Sequence, residues 1–192
     1  MRTRLHALFV LGGIVAISSL ACCQSFQQFA SRSDVALNYD LSRSNTTGGN
    51  GFAMQGGSTQ FHFRCWRGLG AVADFAGSHD GNMYSSGVGL DLFTTTFGPR
   101  YMWSLHHPNL AFYGQVLAGR ANGMNSVFPQ INRATSSASS LALLAGGGIR
   151  IPLSRRVMGT VESDWLRTQL PNSTTNVQNS LRLCAGIVFR FK

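Results

Sequence analysis

From position 180 to 191 the chain alternates without a break. Leu181, Leu183, Ala185, Ile187, Phe189 and Phe191 stand at odd positions, and Ser180, Arg182, Cys184, Gly186, Val188 and Arg190 at even ones. Successive side chains of a β-strand point to opposite faces, so this segment presents one apolar face and one face with two guanidinium groups. Soluble sandwiches alternate as well, and one such strand leaves the architecture open. Its recurrence narrows the choice. Val35, Leu37, Tyr39 and Leu41 alternate with Asn38 and Asp40, and Phe61 and Phe63 with Gln60, His62 and Arg64. Leu69, Ala71, Ala73 and Phe75 alternate with Val72 and Asp74, and Phe112, Val116 and Ala118 with Tyr113, Gln115 and Gly119. Leu141, Leu143, Ala145, Ile149 and Ile151 alternate with Gly146, Gly148 and Arg150, and Val157, Val161 and Trp165 with Thr160, Glu162 and Asp164. Residues 86–104 change phase: Val88 and Leu90 are even, whereas Phe93, Phe97, Tyr101 and Trp103 are odd. That change predicts a one-residue slip, a β-bulge, near Asp91. Eight strands are expected.

The connections alternate in length. Short ones are expected at 66–68, 105–108 and 152–155, and longer polar ones at 45–51, 78–82, 122–139 and 171–178. Short turns at one end and long loops at the other are the pattern of a transmembrane barrel, and an even strand number brings both ends of the barrel to the short-turn side. Composition separates this reading from a soluble barrel. Only 12% of the residues are charged, with one Lys (Lys192) and one Glu (Glu162) in 192 residues. A soluble barrel of lipocalin type needs many exposed Lys and Glu around an apolar interior. The expected fold is therefore all-β: an eight-stranded antiparallel up-and-down transmembrane β-barrel over residues 34–192. Tyr101, Trp103, Phe112, Phe189 and Phe191 lie near its short-turn end, where an aromatic girdle belongs.

The first 21 residues read as a secretory signal. Arg2 and Arg4 precede an apolar segment at 7–21 that ends in Ser19-Leu20-Ala21, a small-x-small cleavage pattern. Cys22 and Cys23 follow, but the residues before them fit a lipoprotein signal poorly. Cleavage near Ala21 leaves about 170 residues, a single-domain length, with a short periplasmic segment at 22–33. It also lowers the formal net charge from +9 by two, to +7. Cys65 and Cys184 remain, with no Cys/His spacing for zinc, and the strand pattern disfavours a disulfide between them.

The inward-facing set is where chemistry can gather: Asn38, Asp40, Gln60, His62, Arg64, Asp74, Arg100, Tyr113, Gln115, Arg150, Glu162, Asp164, Arg182 and Arg190. Four acids and five Arg share one lumen on this count. An eight-stranded barrel is just wide enough for side chains to fill it, and buried charges need partners. Arg pairs bidentately with carboxylates. A salt-bridge network that plugs the lumen is expected; a narrow passive pore is the alternative. Glu162 and Asp164 resemble a catalytic carboxylate pair, but Arg neighbours supply a structural role. His106-His107 lacks a third metal ligand, and Gly87-Val88-Gly89 lacks the third glycine of a dinucleotide site. The Arg residues are spread singly through the strands, which argues against nucleic acid. No enzyme, cofactor or metal is expected, with a lipid A or phospholipid hydrolase the most distant reading. Arg43, Arg120 and Arg133 approach the loop side, where lipopolysaccharide phosphates lie. Val127, Phe128 and Ile131 within the longest loop are the first candidates for partner contact.

Several short motifs carry a resemblance. Leu69-Gly70-Ala71-Val72-Ala73-Asp74-Phe75, Phe97-Gly98-Pro99-Arg100, Gly146-Gly147-Gly148 and the ending Ala185-Gly186-Ile187-Val188-Phe189-Arg190-Phe191 resemble, in order and spacing, the small outer-membrane β-barrel proteins of the OmpA-like transmembrane-domain type. The likeness runs from about Asp34 to Phe191. It implies an eight-stranded barrel in the outer membrane of a Gram-negative cell, insertion by the barrel-assembly machinery, a monomer, and often no assigned activity. Such proteins often end on Phe, whereas here Lys192 follows Phe191. No peptidoglycan-binding domain follows the barrel, so cell-wall anchoring is not expected.

Overall fold

Eight antiparallel ladders, the last joining the eighth strand to the first, close the chain into a barrel in a computed structural model that describes residues 33–45, 51–81, 89–104, 110–129, 134–171 and 176–191. The strands are β1 (Ser33–Asn45), β2 (Phe52–Trp66), β3 (Leu69–Asp80), β4 (Leu90–Ser104), β5 (Ala111–Pro129), β6 (Ala134–Pro152), β7 (Val157–Thr168) and β8 (Gln178–Arg190). Each pairs with its neighbours in sequence order. The signal, Cys22 and Cys23, the segment at 22–32, the His106-His107 turn, Gly87-Val88, Ile131 and Arg133 lie outside the described residues. Cys65 and Cys184 are not joined in a disulfide, and Cys184 is buried.

The β2–β3 turn shows how tightly the short end is drawn. Arg67 and Gly68 both have positive φ, 38° and 94°, the pair of left-handed residues that a two-residue hairpin turn requires. Met102 donates its N–H to the Gly68 carbonyl at 2.8 Å. A Cβ at Gly68 would stand 2.5 Å from the Met102 carbonyl oxygen.

The register sets the tilt. Crossing from Val35 through Phe61, Ala73, Phe97, Ala118, Leu143, Arg167 and Asn179 leads back to β1 at Asn45, ten residues beyond the start. A level path around the barrel therefore steps back about one and a quarter residues per strand, and the strands tilt by about 40°. By this measure Tyr101, Trp103, Phe112, Phe189 and Phe191 form a belt about 8 Å tall. All five point outward and are exposed, and the Tyr101 and Trp103 rings pack edge-on with centroids 4.8 Å apart. Above them the outward face is apolar: Leu37, Leu41, Phe97, Val116, Val161, Leu183 and Ile187 are each at least two-fifths exposed.

Two expectations about the strands are corrected. The ladder from Leu69–Tyr101 to Asp80–Leu90 runs without a shift, so β4 has no bulge near Asp91. Leu90 and Leu92 keep the inward phase and are buried; their apolar character reflects an apolar stretch of the interior. The long loop expected at 122–139 is mostly strand. β5 continues to Pro129 and β6 starts at Ala134, with Phe128 opposite Thr135. Small and polar residues there can face water on both sides of a two-stranded extension, so polarity alone did not mark a loop. Phe128 is buried at the top of the interior and Val127 is exposed.

The interior is not polar throughout. Leu117, Leu144, Leu166, Leu170, Met54, Leu92 and Phe128 join one buried apolar cluster. On their strands, Leu117, Leu144, Leu166 and Leu92 lie farther toward the long-connection end than Gln115, Gly146, Asp164 and Thr94. Below that cluster lies a layer of charged groups.

Candidate functional site: the charged layer of the barrel interior

Inward-pointing residues of all eight strands meet in this layer because the ten-residue shift winds them past one another. β1 supplies Asp34, Asn38 and Asp40, β2 Gln60 and His62, β3 Asp74, β4 Arg100, β5 Tyr113 and Gln115, β6 Arg150, β7 Glu162 and Asp164, and β8 Arg182. Glycines on the same face make the room. A Cβ at Gly146 would overlap the Asp164 carboxylate and the Ser163 carbonyl, and one at Gly148 the Tyr113 hydroxyl and the Val161 carbonyl.

Three Arg organise the contacts. At the short-turn end Arg150 donates from Nη1 and Nη2 to the two oxygens of Asp34, at 2.8 and 2.9 Å. His62 Nδ1 lies 2.9 Å from Asp34 Oδ2. In the middle Arg100 donates Nε to Gln115 Oε1 at 3.0 Å and Nη2 to Gln60 Oε1 at 2.6 Å. The same two amides donate to Glu162 Oε1, each at 2.9 Å, so they relay Arg100 to a carboxylate that it reaches directly only at 3.6 Å. Tyr113 donates its hydroxyl to Glu162 Oε2 at 2.5 Å. Its ring lies between Arg100 and Arg150, whose Cζ atoms stand 4.2 and 5.3 Å from the centroid.

Arg182 is the third centre. Its Nη2 donates to Asp164 Oδ2 at 2.8 Å and Asp74 Oδ2 at 3.0 Å, with Glu162 Oε1 at 3.7 Å. Nη1 lies 3.8 Å from Asp40 Oδ2. One guanidinium thus faces carboxylates from β1, β3 and β7 while belonging to β8. Ser58 donates to the other Asp40 oxygen at 3.1 Å.

The sequence-derived set needs three corrections. Arg190, at the end of β8, is exposed and belongs to the rim; the carboxylate it faces in register, Asp34, is already held on both oxygens by Arg150. Arg64 is half-buried, reaching Met102 Sδ at 3.8 Å beside the register shift between Arg64 and Trp66. Asp34 was absent from the expected set, although its even parity with Asn38 and Asp40 was the available signal. The charge count changes accordingly: five carboxylates and three guanidinium groups are buried here, acid-rich rather than Arg-rich.

Oxygens of Glu162 and Asp164 and the Cys184 sulfur lie within 4.8 Å of one another, a spacing that a metal ion could bridge. The carboxylate oxygens already accept hydrogen bonds from Gln60, Gln115, Tyr113 and Arg182, and Arg182 places a positive charge beside them. The donor set therefore fits an ionic cluster around Arg182 better than a metal centre. The pair lacks the open approach that acid–base catalysis needs, both residues being at most 1% exposed.

A second polar cluster, missed in the sequence, sits on the outer face at the long-connection end. His79 Nδ1 is 2.5 Å from Asp91 Oδ1, and Asn125 donates to Asp91 Oδ2. These bonds, His79 first and then Asn125, hold the Asp91 carboxyl below its ordinary range.

No family model matches the chain, and no curated protein matches it in sequence. Solved structures match in fold. Neisserial surface protein A is similar with a TM-score of 0.63 at 15% identity, over 83% of this chain and 97% of that one. Ail, the attachment invasion locus protein of Yersinia pestis, solved in complex with the heparin analogue sucrose octasulfate, is similar with a TM-score of 0.51 at 18% identity, over 82% and 97%. The fold is that of the small eight-stranded outer-membrane barrels.

Proposed function

We propose that this chain is an outer-membrane protein whose barrel spans the lipid as a sealed, non-catalytic scaffold and whose long-connection end meets partners outside. The observation that carries the reading is the filled interior, a charged layer roofed by an apolar one. An ion crossing it would have to break the Arg182 and Arg100 contacts and then pass Leu117, Leu144 and Leu166 without water. The outward face supports the membrane setting, since exposed Leu, Val, Phe and Trp on every strand suit acyl chains. A closed barrel also leaves no strand edge within the lipid. Delivery by the N-terminal signal and insertion by the barrel-assembly machinery belong to the same reading, as does a monomeric state.

At the outside end the β5–β6 extension reaches past β4 and β7, exposing Met124 and Val127. It is the part of the barrel best placed to touch a partner. Two measurements test the proposal. The protein should partition with the outer-membrane fraction and migrate faster unheated than boiled. In planar bilayers it should show no stable conductance steps. Stable, sizeable openings would replace the scaffold with a pore, and a protein freely soluble without detergent would end the membrane reading.

A further inference from the structure

Three Arg on the outer wall stand at one height. Arg120 on β5 is opposite Leu141 on β6, whereas Arg167 on β7 is opposite Leu143, two residues lower along the same strand. Arg167 faces Asn179 on β8, and Arg43 on β1 faces Leu181, again two residues lower. A step of two residues for every two strands nearly cancels the barrel's tilt, so Arg43, Arg120 and Arg167 lie on a level band around the β5–β7–β1 side. All three are exposed. Among the described residues none of them pairs with a carboxylate. Exposed leucines lie between them: Leu141 and Leu143 separate Arg120 from Arg167, and Leu181 separates Arg167 from Arg43.

The height of the band is informative. Arg120 follows Phe112 of the aromatic girdle by eight residues on β5, about 26 Å of strand and about 20 Å along the barrel axis. An apolar wall of about 25 Å separates the two interfaces of such barrels, so the band stands where headgroups begin, opposite the girdle. On the β2–β4 side the equivalent zone holds Gln55, bonded to Tyr39, and His79 with Asp91, which also accepts from Asn125. Among the described residues the Arg side chains at this height are therefore confined to one side.

We propose that Arg43, Arg120 and Arg167 form a binding band for a phosphate-bearing glycolipid of the outer leaflet, with phosphates on the guanidinium groups and acyl chains over the intervening leucines. Arg's planar fork suits phosphate oxygens bidentately. Phosphates spaced along one leaflet can engage a level row, which a soluble ligand has no reason to require. The inference rests on the membrane-spanning reading above.

The test refolds the full chain into phosphatidylcholine vesicles, alone, with bis-phosphorylated lipid A, or with dephosphorylated lipid A. The temperature at which the compact gel band is lost and the lipid A retained on purification are both read. Wild type should be stabilised by the phosphorylated lipid alone. The R43Q/R120Q/R167Q variant should fold in phosphatidylcholine yet lose most of that shift, its preference for the phosphorylated lipid falling about fivefold per Arg removed. A control, R67Q/R155Q/R156Q, altered at the opposite rim, should keep it. An equal shift in the band variant, or an equal response to dephosphorylated lipid A, overturns the band while leaving the barrel standing. Failure of wild type to insert in any vesicle overturns the membrane reading itself.

Discussion

Arg150 grips Asp34 through both terminal nitrogens across 116 residues of sequence, at 2.8 and 2.9 Å. The pair ties β6 to β1 across the interior. Breaking a buried pair from one side leaves an uncompensated charge, which costs about 3–5 kcal/mol. Arg150→Met should therefore destabilise the barrel by about that amount in urea titrations in lipid vesicles. Asp34→Leu combined with Arg150→Met should recover much of the loss.

Arg182 faces four carboxylates, whereas Arg100 meets its carboxylate mainly through Gln60 and Gln115. Arg182→Met should consequently cost more than Arg100→Met, because amides tolerate the loss of a charged partner better than clustered carboxylates do. The same unfolding titrations rank the two variants. Equal costs would mean that the four carboxylates do not depend on Arg182.

Gly146 and Gly114 offer a paired comparison. A Cβ at Gly146 would overlap the Asp164 carboxylate and the Ser163 carbonyl, whereas one at Gly114 would meet the Trp103 ring at an ordinary 3.6 Å. Gly146→Ala should lose the fast-migrating unheated gel band. Gly114→Ala should retain it.

The apolar roof can be separated from the charged layer. Leu117, Leu144 and Leu166 are at most 3% exposed, and each stands one inward position beyond Gln115, Gly146 or Asp164 on its own strand. A single Leu→Ala change among them should cost about 2–5 kcal/mol. Replacing all three by Ser should admit water and produce conductance in planar bilayers if the roof seals the barrel. Silence would assign the seal to the charged layer beneath.

Asp91 couples β3, β4 and β5 at the outer rim through His79 and Asn125. Its carboxyl is held below the ordinary range, by His79 first and Asn125 second. A depressed carboxylate stabilises the fold above the unfolded value, about 3.9, and that contribution is lost as pH falls through the lowered folded value. Amide exchange near Met124 should therefore accelerate as pH drops below about 4 relative to its intrinsic rate, and Asp91→Asn should remove that acid limb.

Much of the barrel was legible in the chain because alternation is local. The pleat sends neighbours to opposite faces whatever lies beyond them, so Leu181 to Phe191 declared an outward face and Arg182 an inward one. Loops were less legible. The serine-rich run at 134–140 continues β6, because a two-stranded extension in water places no demand for apolar side chains on either face. Val88 and Leu90 suggested a bulge for the related reason that an apolar side chain such as Leu90 does not announce whether it faces lipid or an apolar interior. Asp34 carried the right parity but stood at the strand's edge, where parity alone does not tell a rim residue from a buried one.

The sequence by itself determined the strands, their two faces and a chain too poor in Lys and Glu to surround itself with water. Only the closed structure decided heights. The ten-residue shift accumulates over eight ladders, and no single strand carries it. It brings Asp40, Asp74, Glu162 and Asp164 to Arg182, sets Leu166 and Leu92 above them, and levels Arg43, Arg120 and Arg167 on the outer wall.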